Sequence, residues 1–230
     1  MPRTARVAPS GYVYHVLTRG NNRQDVFADD SDYIKYLEVL LRYKEKYLFK
    51  LYHYVLMTNH VHLVIEPTEN GGNLSEIMKG INLAYAQHYK RKYSHTGHFW
   101  QDRHKSIIIS MDEYLLACGS YVELNPVRAR MVDNPMEYRW SSYRAYAYGK
   151  KDTIVDEHSI YLQLSEDEGQ RKVKYREFVR GMLKVKGAMK GEMNKRAVYG
   201  SEGFTEKIKG KYKIQEVIRQ RGRQIGWRKK

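Results

Sequence analysis

The stretch from Phe49 to Ile65 admits few folds. Phe49 to Leu56 and His60 to Ile65 are strand-like, and Thr58-Asn59 between them is turn-like, so the segment reads as a β-hairpin. Its flanks set the context. Tyr12 to Thr18 is β-rich and ends at the turn Arg19-Gly20-Asn21-Asn22. Asp29-Asp30-Ser31 offers helix N-caps, and from Asp32 to Tyr47 the residues Tyr33, Tyr36, Leu37, Leu40, Leu41 and Tyr47 recur at helical spacing. After the hairpin, Pro67 to Gly72 is a loop and Leu74 to Tyr89 a helix, with Leu74, Ile77, Met78, Ile81 and Tyr85 on one face. Lys90-Arg91-Lys92 closes that helix, where the dipole favours cations. Next come a strand centred on Lys105 to Ile109 and a helix from Asp112 to Leu124 stopped by Pro126. The order β-α-β-β-α-β predicts an α+β, ferredoxin-like fold: an antiparallel four-stranded sheet with two helices on one face, and additional C-terminal helices. The other face is left to carry a site or accept a further helix.

The chain has 230 residues, enough for one full-sized domain plus an extension or for two small domains. Lys and Arg number 41 against 26 Asp and Glu, a formal charge of +15 that favours a polyanionic partner, nucleic acid first and an acidic membrane surface second. Twenty-one tyrosines suit stacking on unpaired bases. Several (Tyr33, Tyr36, Tyr43, Tyr47) keep helical spacing and are expected in a core with a wet edge. Cys118 is the only cysteine, which excludes an intrachain disulfide and a cysteine metal cage and suits a reducing, cytoplasmic setting. Met1 to Arg6 is not followed by an apolar segment of the signal-peptide kind, and no apolar run is long enough to span a bilayer, so no membrane association is expected.

The character changes after Lys150. Gly149-Lys150-Lys151-Asp152 reads as a linker and Asp156 to Leu183 as one or two helices, and the remainder is punctuated by Gly187, Gly191, Gly200, Gly203 and Gly210. The expected organisation is a domain over 1–148, a helical extension over 149–215 and a basic, flexible tail over 216–230.

Chemistry concentrates in two places. Residues two apart on a strand share a face, so His60 and His62 project side by side while Val61, Leu63 and Ile65 point the other way. Two imidazoles so placed suit a divalent metal. Tyr121 and Asn125, four apart on what reads as one helix, look in one direction, and Glu123 looks away. The Asn carbonyl is a hard oxygen ligand, and the phenol, with an ordinary pKa of about 10, becomes a nucleophile beside a cation. Each motif alone is common, and a hydrogen-bonded core histidine is the plainer account of either imidazole. Tyr114 on the same helix has Cys118 four residues on, which makes Tyr121 the better candidate.

The run Met57-Thr58-Asn59-His60-Val61-His62-Leu63, then Gly97-His98-Phe99-Trp100-Gln101, then Tyr121-Val122-Glu123-Leu124-Asn125-Pro126-Val127-Arg128-Ala129 resembles the single-tyrosine HUH transposases, and among them the REP-associated tyrosine transposases. Tyr12-His15 with Thr18 to Asn21, and Trp140 to Tyr143, match the same branch. The resemblance covers Met1 to Tyr148 and continues more loosely to Glu202. It implies Tyr121 as nucleophile, His60, His62 and Asn125 as ligands of Mg²⁺ or Mn²⁺, and cleavage of single-stranded DNA at palindromic hairpins. It also implies a bacterial protein associated with the nucleoid. Thr58 stands where the family usually has Pro, and Asn125 where the related insertion-sequence enzymes have Gln.

Arg19, Lys90, Arg91, Arg103 and Lys105 are the expected DNA contacts, each with plain solvated charge as the alternative. Arg103 and Lys105 share a face opposite His104. His98 reads equally as a DNA contact or a structural hydrogen-bonder, and Arg221-Gly222-Arg223 as a minor-groove arm or a basic tail. With Tyr121 in the same chain as the His pair, a monomer is expected, a dimer being the alternative. Two rival functions are a non-catalytic module that binds structured nucleic acid and a metal nuclease using activated water.

Overall fold

The hairpin forms as expected and makes up one side of the sheet, its second strand pairing inward with the central strand. The computed structural model describes residues 8–184 and 197–214. Strand β1 (Val13–Arg19) is followed by α1 (Asp30–Tyr47), β2 (Phe49–Met57), β3 (His60–Pro67), α2 (Leu74–Tyr93), β4 (Lys105–Ile109) and α3 (Glu113–Glu123). Short helices α4 (Asn125–Arg128), α5 (Tyr143–Tyr148) and α6 (Ser159–Leu162) lead to α7 (Glu168–Lys184), β5 (Val198–Tyr199) and α8 (Glu202–Tyr212). The strand order is β2-β3-β1-β4-β5. The first four strands are antiparallel throughout, as the ferredoxin-like plan requires. The fifth strand is an addition to that plan: β5 from the C-terminal extension pairs parallel with β4, Ile108 against Val198. Two residues carry too little periodicity to read as a strand. The expected basic tail, 216–230, lies outside the described residues.

Both long helices start on capping boxes, Asp29 with Asp32 for α1 and Asn73 with Glu76 for α2. They pack on one face of the sheet, burying Val61, Leu63 and Ile65 of β3 with Tyr14 and Val16 of β1. The opposite face holds Val13, Val55, Met57, Val64 and Ile109, and α3 lies on it through Leu115, Cys118, Tyr121 and Val122. The outer side of α3 is covered in turn by α5, α6 and α7, where Leu116 and Leu124 meet Tyr143, Tyr146, Tyr161 and Tyr175. Helix α3 is therefore enclosed between the sheet and the extension. Among the described residues no helix is long and apolar enough to cross a membrane.

A bulge makes that enclosure polar at one point. The pairing of β2 with β3 shifts between Leu51 and His53, so that Tyr52 and His53, consecutive in sequence, both serve the α3 face. His53 Nδ1 meets Glu123 Oε1 at 2.9 Å, Ser142 Oγ donates to the same oxygen at 2.6 Å, and Tyr175 donates to Glu123 Oε2 at 2.6 Å. His53 Nε2 contacts His158 Nε2 at 3.1 Å, and His158 Nδ1 accepts from the Tyr161 amide. All five side chains are buried. Gly119 lets the His53 ring approach, since a Cβ there would sit 2.3 Å from Nε2.

Removing one partner of a buried polar set strands the others. Glu123→Ala is expected to lower stability by about 3–5 kcal/mol, read as the urea denaturation midpoint; a loss of about 0.5 kcal/mol or less would contradict the role given to Glu123. The buried imidazoles make stability depend on pH. Burial lowers His15 to about 4 from 6.5, and burial first, then neighbouring histidines, lowers His62 and His158 well below 6.5. The folded state thus disfavours the charged form, and stability present above pH 6.5 is lost as pH falls toward about 4. The thermal midpoint of the metal-free protein is expected to drop across that window; a flat midpoint would contradict it.

Candidate functional site

The imidazoles lie toward one end of the central strand pair, β1 and β3. Strand alternation sends His60 and His62 to the α3 face, and β1 sends His15 and Arg19 to the same face, with Arg19 opposite His60 and His15 opposite Val64. The His15 and His62 rings are parallel, with planes within 3° and centroids 5.0 Å apart, and meet edge to edge, His15 Nε2 lying 2.7 Å from His62 Nδ1. The His60 and His62 rings are 5.0 Å apart. Asn59, in the hairpin turn, donates through Nδ2 to the Arg23 carbonyl at 3.2 Å, which turns its Oδ1 toward His60 Nδ1 at 2.7 Å. An amide oxygen only accepts, so His60 carries its proton on Nδ1 and its lone pair on Nε2. The Thr58 carbonyl, in the hairpin turn, accepts from the Val26 and Phe27 amides.

Helix α3 delivers Tyr121 to this cluster. Its ring centroid is 6.2 Å from His62 and 6.1 Å from His15, edge-on to both. Only 5% of Tyr121 is exposed. Burial raises its pKa, while the positive charges of Arg128 and, more weakly, Arg19 pull it back. The Arg128 guanidinium stands 5.1 Å from the Tyr121 ring centroid, held by the carbonyls of Tyr121 at 3.2 Å and Met182 at 3.4 Å. In this state the nucleophile candidate is a neutral phenol under a fixed cation.

Tyr121 and Asn125 do not share one helix. The helix ends at Glu123, Leu124 caps it, and Asn125 opens α4. Pro126 has no N–H to give to the Val122 carbonyl. Asn125 Nδ2 takes that carbonyl at 3.1 Å together with the Tyr121 carbonyl at 2.9 Å. Both amide hydrogens are committed, and the oxygen is what Asn125 has to offer a cation.

The donor chemistry fits a divalent ion: two imidazoles, of which burial keeps His62 neutral, and one amide oxygen. Among the described residues no group of three or more His, Cys, Asp or Glu side chains is arranged to hold a metal ion.

Of the expected DNA contacts, Arg19, the register partner of His60, lines one basin of about 580 Å³ with Arg103 and Lys105, together with Leu17, Arg23, Gln101 and Asp102. Lys90 and Arg91 are not part of its wall. Lys90 donates to the Gly97 carbonyl and Arg91 to the Gln87 carbonyl at the end of α2, while their neighbour Lys92 binds Asp29 and Asp32. His15, Gln101 and Arg128 stand in the motifs that carry the resemblance but were given no role there, and Arg23 was not named; all four join the site. For His15 the signal was present: it shares strand parity with Arg19 and so had to face the His pair.

A family model described as "Transposase IS200 like" matches residues 9–125. No curated protein matches the chain. The structure of a REP-associated tyrosine transposase bound to a REP hairpin superposes with a TM-score of 0.54 at 17% identity, covering 70% of this chain and 93% of that one. A putative transposase from Deinococcus radiodurans R1 gives 0.38 at 16% identity over 56% and 92% of the two chains. The α+β fold is that of the tyrosine transposase, and the match across the hairpin, the imidazoles and α3 places this chain in the IS200-like transposase family, whose members cleave and rejoin DNA.

Proposed function

We propose that the protein cleaves single-stranded DNA at palindromic, REP-like hairpins with Tyr121 as the nucleophile. The observation that carries this reading is the Tyr121 ring packed between the His15 and His62 rings and the Arg128 guanidinium, within one chain. The relative solved with a REP hairpin supports the substrate class. The juxtaposition within one chain supports action as a monomer.

His60, His62 and Asn125 would hold the divalent ion, Mg²⁺ or Mn²⁺. When bound, such an ion neutralises charge on the non-bridging phosphate oxygens and favours the phenolate. The chain's own residues do the rest. Arg19, Arg103 and Lys105 would grip the phosphates flanking the cut in the basin they line. The Tyr121 oxygen attacks phosphorus in line, the bond from phosphorus to the 3′-oxygen breaks, and the 5′-phosphate becomes a tyrosyl ester. The phenol proton leaves to solvent, and the departing 3′-oxygen takes one up. The ester conserves the broken linkage, so the free 3′-OH can reverse the step. The domain over 1–148 would carry this chemistry, and the extension over 149–215 would hold α3 in place.

Incubation with labelled hairpin oligonucleotides from the gene's own flanks tests the reading. A covalent protein–DNA band is expected with wild type, and none with Tyr121→Phe, whose hairpin affinity is unchanged. Hairpin binding without a covalent band in wild type would favour the binding module, and cutting without adduct the hydrolytic nuclease. Chelation is expected to abolish the band and Mn²⁺ to restore it; full cleavage in excess chelator would remove the metal from the account.

A further inference from the structure

His15 has no part in the chemistry above, yet it touches the central imidazole. Its contact with His62, Nε2 to Nδ1 at 2.7 Å, is short, and both rings are buried. Two facing ring nitrogens at that distance hold one proton between them, because two N–H groups would collide and two lone pairs would repel. His15 Nδ1 is buried and makes no hydrogen bond among the described residues. An orphaned buried nitrogen calls for a reason.

The shared proton admits two arrangements. With it on His15 Nε2, His62 carries its own proton on Nε2 and has no lone pair there for a metal. With it on His62 Nδ1, the His62 Nε2 lone pair is exposed to the cation, matching the arrangement that Asn59 imposes on His60. His15 then keeps its proton on the orphaned Nδ1, a cost to the fold that only use of the His62 lone pair offsets.

We propose that His15 is a positioning residue for the metal centre: it accepts from His62 Nδ1–H and thereby aims His62 Nε2 at the divalent ion. His60 and His62 thus have matched supports, an amide oxygen from the turn and an imidazole from the neighbouring strand. Outer partners of this kind orient and strengthen ligating histidines. The inference rests on the reading of His60 and His62 as ligands.

The test is Mn²⁺ titration of the full chain by calorimetry, without DNA, comparing wild type with His62→Ala, His15→Leu and His15→Gln. His15→Leu is expected to bind Mn²⁺ about 10- to 100-fold more weakly. His15→Gln, whose amide oxygen can accept from Nδ1–H, is expected to recover most of that loss, which a packing role would not allow. Undiminished binding by His15→Leu, or equal weakening by both variants, would overturn the proposal. Undiminished binding by His62→Ala, or none by wild type, would instead defeat the reading beneath it, and this proposal with it. Should His15→Leu fail to fold, the long-range ¹H–¹⁵N correlation of His62 in wild type with Mg²⁺ decides. The Nδ1–H tautomer is expected, and the Nε2–H tautomer would overturn the role of His15.

Discussion

Glu123 is a carboxylate with no exposed surface, and its hydrogen bonds hold the two halves of the molecule in register. It lies two residues from Tyr121 and points to the opposite side of the helix. His53 reaches it from the sheet, Ser142 from the start of α5 and Tyr175 from α7. A helix packed only by Leu115, Cys118 and Val122 could slide or rotate at small cost. One tied at Glu123 cannot, because each bond lost would leave a buried polar atom without a partner. The position of the Tyr121 ring against His62 follows from that tie.

The extension is thus more than an appendage. Tyr175 and His158 complete the polar set, the Met182 carbonyl holds Arg128 over the Tyr121 ring, and Val198–Tyr199 adds a fifth strand. The opposite end of the site is built differently. There Arg19, Arg103 and Lys105, with Asp102 among them, border an open basin. Tyr121 is set in a buried wall, while the rim of the basin is charged.

Much of this was legible in the sequence because it follows from period alone. His60 and His62 had to share a face once the hairpin was recognised, and the order of elements led to the ferredoxin-like sheet. The parts that were not legible depend on departures from period. The bulge between Leu51 and His53 reverses strand parity, and regular alternation would have buried His53 under α1 and α2. The break at Leu124 stems from Pro126, which reads as a stop for the helix, although Asn125 then has to begin a new one. Glu123 was correctly expected to look away from Tyr121, but nothing local shows that a charged residue there will be fully buried. Its partners come from 19 to 70 residues away in sequence.

The central claim is that one cation is held by His60, His62 and Asn125 within reach of the Tyr121 oxygen. Anomalous diffraction from crystals grown with Mn²⁺ tests it directly. The account predicts a single strong peak about 2–2.5 Å from the Nε2 atoms of both imidazoles and from Asn125 Oδ1. A map with no peak there, or with Mn²⁺ bound only elsewhere, would contradict it.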